Sequence, residues 1–201
     1  MTTRWYQEKK KEHYYKEAKR VGYRARSSFK LQQIQQKFHV MKKGDVVVDL
    51  GAAPGGWSQI AWELVEPQGT VIGVDLSFIQ PLCGVQFIQG DITDTKTVER
   101  ITRLLQGKIV DVVISDMSPD ISGNYSVDQA RSIWLCEHAF AVAQLVLKPE
   151  GHFVCKVFEG EDLREFLILI RQHFSRVKQF SPPASRKSSS ETYLIAKCYH
   201  K

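Results

Sequence analysis

From Val46 onward, apolar runs of strand length alternate with segments of helical period. The runs "VVVDL" (46–50), "TVIGVD" (70–75) and "VDVVIS" (110–115) are apolar on both faces, as strands of a parallel sheet covered by helices must be. Further strands are predicted at 85–89, 151–157, about 176–180 and about 192–198, with helices near 56–66, 95–106, 127–147 and 161–173. Ahead of them "SSFKLQQIQQKF" sets Phe29, Leu31, Ile34 and Phe38 at helical spacing behind a serine cap, which predicts a short helix docked on the body. No helical pattern separates the last two strands, only "SPPASRKSSS", so they should pair antiparallel. The expected architecture is a doubly wound α/β domain: a mostly parallel seven-stranded sheet ending in an antiparallel hairpin, with ligands at the carboxyl ends of its strands.

Length and composition narrow this picture. A chain of 201 residues suits one domain with a core large enough to need neither disulfide nor metal. Cys83, Cys136, Cys155 and Cys198 lie far apart with no Cys-x-x-Cys pair, so reduced, mostly buried thiols are expected and no metal site. Neither a membrane span nor an apolar leader is visible, and the protein is expected in the cytoplasm as a monomer. The net charge of +6 is unevenly placed: residues 1–30 carry ten Lys/Arg against three Asp/Glu, leaving −1 for the remainder. Residues 1–26 interleave that charge with Trp5, Tyr6, Tyr14, Tyr15 and Tyr23, a combination suited to phosphates and exposed bases, and are expected to form an RNA-binding segment ahead of a single domain over 27–201. Arg186 and Lys187 would supply the other jaw.

The first strand runs into "DLGAAPGGWSQ", where a nucleotide turn belongs. A phosphate loop would end in Lys followed by Ser or Thr, but Gly56 is followed by Trp57; a dinucleotide loop would place glycine where Ala53 stands. Asp75, Asp91 and Asp49 converge on the same crevice, Asp75 for ribose hydroxyls, Asp91 for an exocyclic amine and Asp49 for a positive head group. S-adenosylmethionine, cationic and free of phosphate, fits that set. Each aspartate alone could equally be a cap or turn former. In the fifth strand, Lys156 interrupts an apolar run, and a lysine there is costly unless paired. Asp116, closing the fourth strand, is the nearest expected partner, with Lys30 from the docked helix and Glu191 from the last strand completing the group. Trp134 and the rest of the 127–147 helix are expected in the core.

Lys30, Asp116, Lys156 and Glu191, in that order and context, resemble the K-D-K-E tetrad of the FtsJ/RrmJ family of ribose 2′-O-methyltransferases. "RARSSFKL", "VVDLGAAPGGWSQ", "GVQFIQGD", "SDMSPDISG", "KVFEGE" and "SRKSSSETY" carry the likeness across residues 4–198. The resemblance implies a class I methyltransferase fold, with S-adenosylmethionine held by Gly55, Trp57, Asp75, Asp91 and Asp116, and Lys30, Asp116, Lys156 and Glu191 as the catalytic group, Lys156 foremost. It also implies an RNA partner, ribosomal RNA or the large ribosomal subunit, with a uridine of the 23S-type RNA as target. Ser118, Pro119 and Asp120 stand where ribosomal members often have Ala-Pro-Asn. The rival readings are a tRNA anticodon-loop or cap methyltransferase, an RNA-binding assembly factor, and a small-molecule methyltransferase.

Overall fold

A computed structural model describes residues 14–185 and 190–200. Most of the basic front segment, including Trp5 and Tyr6, and the loop residues Arg186 and Lys187 lie outside the described residues. Seven strands form one sheet in the order β3-β2-β1-β4-β5-β7-β6. Strands β1 (Val46–Leu50), β2 (Thr70–Asp75), β3 (Val85–Gln89), β4 (Val110–Ser115) and β5 (Leu147–Phe158) run parallel. β6 (Phe174–Phe180) and β7 (Glu191–Tyr199) form the expected hairpin, with β7 inserted antiparallel between β5 and β6.

The helices divide between the two faces as the apolar runs require. Helix α1, described over residues 14–21, and α2 (Ser28–Phe38) precede the sheet; α3 (Gly56–Val65), α4 (Thr95–Leu105), α5 (Tyr125–Val146) and α6 (Leu163–Arg171) fall between its strands. Leu31 and Ile34 of α2 join Trp57, Ile60 and Val65 of α3 over one face, against Val47, Val112 and Ile195. Ile101, Phe140, Ala143 and Phe166, from α4, α5 and α6, cover the other against Val48, Val113 and Phe153. Every residue of β1 is consequently buried. Residues 14–26 pack on this body: Ala18 is buried, the Tyr23 ring meets Phe29, and the Arg24 guanidinium donates to the carbonyls of Gln80 and Pro81.

Two expectations need correction. Trp134 is not core: it is 50% exposed and its ring lies 4.0 Å from that of His138, because α5 turns this position outward. The thiols are all free, but only Cys136 and Cys155 are buried; Cys83 is exposed and Cys198 half-buried, since they lie in a loop and on a strand next to the chain end.

Consecutive strands leave β1 in opposite directions, toward β2 and toward β4, so the sheet has its switch point between β1 and β4. Crevices open at the carboxyl ends of strands at such a point. Asp49, Asp75 and Asp116 all lie at or next to those ends.

Candidate active site

Gly51 turns the chain at the end of β1 with φ of +76°, and a Cβ there would stand 2.3 Å from Met117 Cγ. Only glycine lets the β1 and β4 loops close on one another there. Beyond them opens a pocket of about 370 Å³ lined by Gly51, Ala53, Asp75, Asp91, Asp116 and Trp134, among others.

The acids on that wall are also held by backbone. Asp75 accepts from the N–H groups of Ala53 (2.9 Å) and Ser77 (2.8 Å), so it shapes the glycine-rich loop as well as facing the pocket. One oxygen of Asp91 accepts both the N–H and the hydroxyl of Thr93, and these bonds hold its carboxyl below the usual range. Asp49 lies behind the wall, wholly buried. Its Oδ2 accepts from Ser58 at 2.6 Å, and Oδ1 has no partner among the described residues. Burial, opposed by the Ser58 hydrogen bond and reinforced by Asp116 and Asp75, pushes this carboxyl up to about 7. A concave site with convergent acids and an orphaned buried carboxylate oxygen suits a cationic ligand.

Gly55 and Trp57 do not line this pocket. Gly55, at φ of +104°, caps α3, where an added Cβ would stand 3.0 Å from the Arg24 guanidinium. The Trp57 indole is buried, donates to the Ser27 carbonyl at 2.9 Å, and stacks on Tyr193 with ring centres 5.6 Å apart. It supports the neighbouring cluster from behind.

That cluster brings together Lys30, Asp116, Lys156 and Glu191. Lys156 Nζ donates to the Asp116 carbonyl at 2.6 Å and lies 3.2 Å from its carboxylate. Lys30 Nζ meets Glu191 Oε1 at 2.5 Å. Both lysines are 7% exposed, so each charge is paired where it leaves water. Burial alone would raise the Glu191 carboxyl, but the charge and hydrogen bond of Lys30, then Lys156 and Ser185, outweigh it and hold it low.

A fifth residue joins the two pairs. Tyr193 lies directly across from Lys156 in the β5–β7 ladder. Its hydroxyl donates toward Asp116 Oδ1 at 2.7 Å, has Glu191 Oε1 at 3.2 Å, and accepts from Lys30 at 3.1 Å. Burial, then the charges of Asp116 and Glu191, push that phenol well above its ordinary range, so it stays a donor. Its spacing two residues after Glu191 puts both on one face of β7, which is the only sequence signal for it. Asp116 belongs to both constructions: it lines the pocket and anchors Lys156. A ligand in the pocket would therefore meet the lysine cluster at one edge.

The chain is similar in sequence and in fold to known proteins. The profile of the FtsJ-like methyltransferase family matches residues 23–199. The chain is 52% identical over 187 residues to "Ribosomal RNA large subunit methyltransferase E" of Methanothrix thermoacetophila, covering 93% of this chain and 72% of the relative. It is 44% identical over 195 residues to the protein of the same name from Francisella philomiragia, covering 97% and 95%. A crystal structure from Plasmodium falciparum, described as a ribosomal RNA methyltransferase, superposes with a TM-score of 0.81 at 26% identity, covering 88% of this chain and 98% of that one.

Proposed function

The chain belongs to the FtsJ-like methyltransferase family, and from that premise we propose that it methylates a ribose 2′-hydroxyl in large-subunit ribosomal RNA, with S-adenosylmethionine as donor. The observation that carries the reading is the buried Lys156, held on Asp116 at the edge of the pocket, with Lys30, Glu191 and Tyr193 closing around it. The names of the relatives above support the choice of RNA. The target is most readily a uridine, as in the 23S-type reading of the sequence, and the cytoplasm is where such RNA is met.

Asp75 and Asp91 would hold the nucleoside half of the donor, and Asp116 its methionine half beside Asp49. Gly55 and Trp57 would act on it through the loop and through Tyr193. When bound, S-adenosylmethionine supplies an electrophilic methyl group on a sulfonium centre. Everything else falls to the chain's own residues. A ribose hydroxyl is a poor acid, so a nucleophilic attack in line with the sulfonium needs a group that takes or balances its proton. Lys156 is fixed by two contacts to Asp116 and can offer either service from one position. Lys30 and Glu191 neutralise each other and, through Tyr193, fix the orientation of Asp116.

The test is to incubate the protein with labelled S-adenosylmethionine and ribosomal RNA, ribosomal subunits or tRNA, then map 2′-O-methylated positions. Label on large-subunit RNA is expected; label on tRNA alone would replace the substrate. Lys156→Ala should slow transfer by about 100-fold or more, while donor affinity stays within about threefold of wild type. Full transfer by that variant would remove Lys156 from the chemistry.

A further inference from the structure

The loop after β4, residues 116–124, is exposed along most of its length, yet it is not loosely held. The buried carboxylate of Asp128 accepts from the Ser122 N–H and hydroxyl, both at 2.7 Å, and from the Gly123 N–H at 3.3 Å. Asn124 then caps α5, accepting from the N–H groups of Ser126 and Val127. Arg131 ties down the Asp120 carbonyl from one turn further along.

Among its exposed polar residues the loop presents one large apolar side chain, Ile121, 65% exposed, and α5 opens with Tyr125, 57% exposed. A single exposed aromatic is ordinary on a protein surface. Tyr125 differs in where it is pinned. Its hydroxyl donates to the Glu159 carbonyl at 2.5 Å, and the Glu159 N–H donates to the Ser190 carbonyl at 2.8 Å. Phe158 and Glu191, the neighbours of those two residues, are paired across β5 and β7. The segment after β5 is itself fastened to α5, since a Cβ on Gly160 would stand 2.4 Å from Gln129 Cγ. Tyr125 thus bridges from the start of α5 to the segment just after β5, which is bonded in turn to the residue ahead of Glu191 on β7. The ring stays in solvent at the carboxyl end of β5, where Phe158 is paired with Glu191 of the cluster, and Lys30 approaches that cluster from α2, on the other face of the sheet.

A ribose whose 2′-hydroxyl reaches Lys156 must carry its base out of the cluster, because Trp57 and Tyr193 fill the space behind it. Unstacked RNA bases are commonly held on aromatic side chains, and a tyrosine ring is a platform that any base can use. We propose that Tyr125 is a base-stacking subsite, receiving the nucleobase of the nucleotide that is methylated. The subsite rests on the reading of this chain as an RNA 2′-O-methyltransferase. It takes a planar heterocycle on an unpaired nucleotide.

The experiment compares wild type, Tyr125→Ala, Tyr125→Phe and Tyr125→Leu in steady-state methyl transfer to the RNA identified above, and measures binding of S-adenosylmethionine separately. Tyr125→Ala should raise KM for RNA about tenfold, Tyr125→Leu should recover part of that loss, and Tyr125→Phe, which keeps the ring, should stay within about twofold of wild type. A second substrate carries an abasic target nucleotide. On it, wild type and Tyr125→Ala should have equal KM. An unchanged KM in Tyr125→Ala overturns the subsite. So does a Tyr125→Phe enzyme as impaired as the alanine variant, which would make the Glu159 hydrogen bond the point of the residue. Parallel loss of donor binding would also overturn it, as collapse of the β4 loop. Wild type that transfers no methyl group to any RNA would refute the functional reading itself, a result distinct from all of these.

Discussion

Asp49 has one carboxylate oxygen on Ser58 and the other on no described residue, with both beyond the reach of water. Its raised pKa, about 7, has a definite consequence for the free protein. The folded state holds this proton more tightly than the unfolded chain, so the associated stability is complete below the ordinary carboxylate range and is lost as pH rises through about 7. The shift corresponds to something of order 4 kcal/mol. In Asp49→Asn that loss should disappear: chemical unfolding at about pH 5 and about pH 8 should find the variant gaining on wild type at the higher pH. Parallel unfolding free energies at the two pH values would show that Asp49 does not titrate there. The same variant should bind a cationic donor less well, since ionised Asp49 is the charge behind the pocket. Asp49 and Lys156 were legible in the sequence because a charge inside an apolar strand announces itself. Tyr193 was not, because an aromatic in a strand looks like core until the β5–β7 register places it against Lys156. Trp134 misled for the same reason in reverse: its apolar neighbours on α5 suggest burial, and only the helix's rotation on the sheet turns it toward the pocket.

Helix α2 matters to the site only through how closely it seats on the start of α3. Ser28 donates to the Gly56 carbonyl at 3.0 Å, and a Cβ on Gly56 would stand 2.8 Å from Ala25 Cβ and 2.9 Å from Ser28 Oγ. Lys30 follows two residues later on the same helix. Gly56→Ala should therefore cost about 1–3 kcal/mol by overpacking and lower turnover more than it lowers donor affinity, as Lys30 is pushed off Glu191. Unfolding curves read with kcat and donor binding check this. Wild-type turnover in a destabilised Gly56→Ala protein would mean that the site tolerates displacement of α2. Elements with a clear period were legible to the residue: β1, β2, β3 and β4 begin and end where the apolar runs do. β5 is longer than expected, starting at Leu147 instead of 151, because it follows α5 without a loop. "KPEG" reads as a turn, and Glu150 does take a φ of +65°, but the chain stays in the sheet with a register shift against β4. α5 starts two residues before the expected 127 because its cap is Asn124, inside what looked like loop.

Over the whole molecule, two stretches far apart in sequence are basic. Residues 18–44 contain eight Lys/Arg and no Asp/Glu, and residues 166–190 contain five and none. The two stretches meet: Phe38 packs edge-on against Phe180 at 5.3 Å, Lys37 sits over the Phe180 ring, and the Ala184 N–H donates to Gln33. On β6, Arg176 stands opposite Lys197, whose ammonium reaches the Phe38 carbonyl at the end of α2, and Lys178 stands opposite buried Ile195. Directly opposed residues share a face, so Arg176 and Lys178 look out on the α2 side, the side from which Lys30 enters the cluster. Cations on an edge strand have a second use in discouraging strand addition, and that use survives reversal of the charge. Arg176→Glu with Lys178→Glu should hence leave folding and donor binding unchanged. If RNA flanking the methylated ribose lies along this face, the pair should weaken RNA binding at low salt and reduce the salt slope of the affinity by about 2, one for each phosphate that is no longer neutralised. Reversal of Lys96, exposed at the start of α4 on the other face, is the matched control and should change neither. Equal RNA affinity and an equal salt slope in the β6 variant would move the RNA off this face and leave its grip to the basic segment ahead of α2.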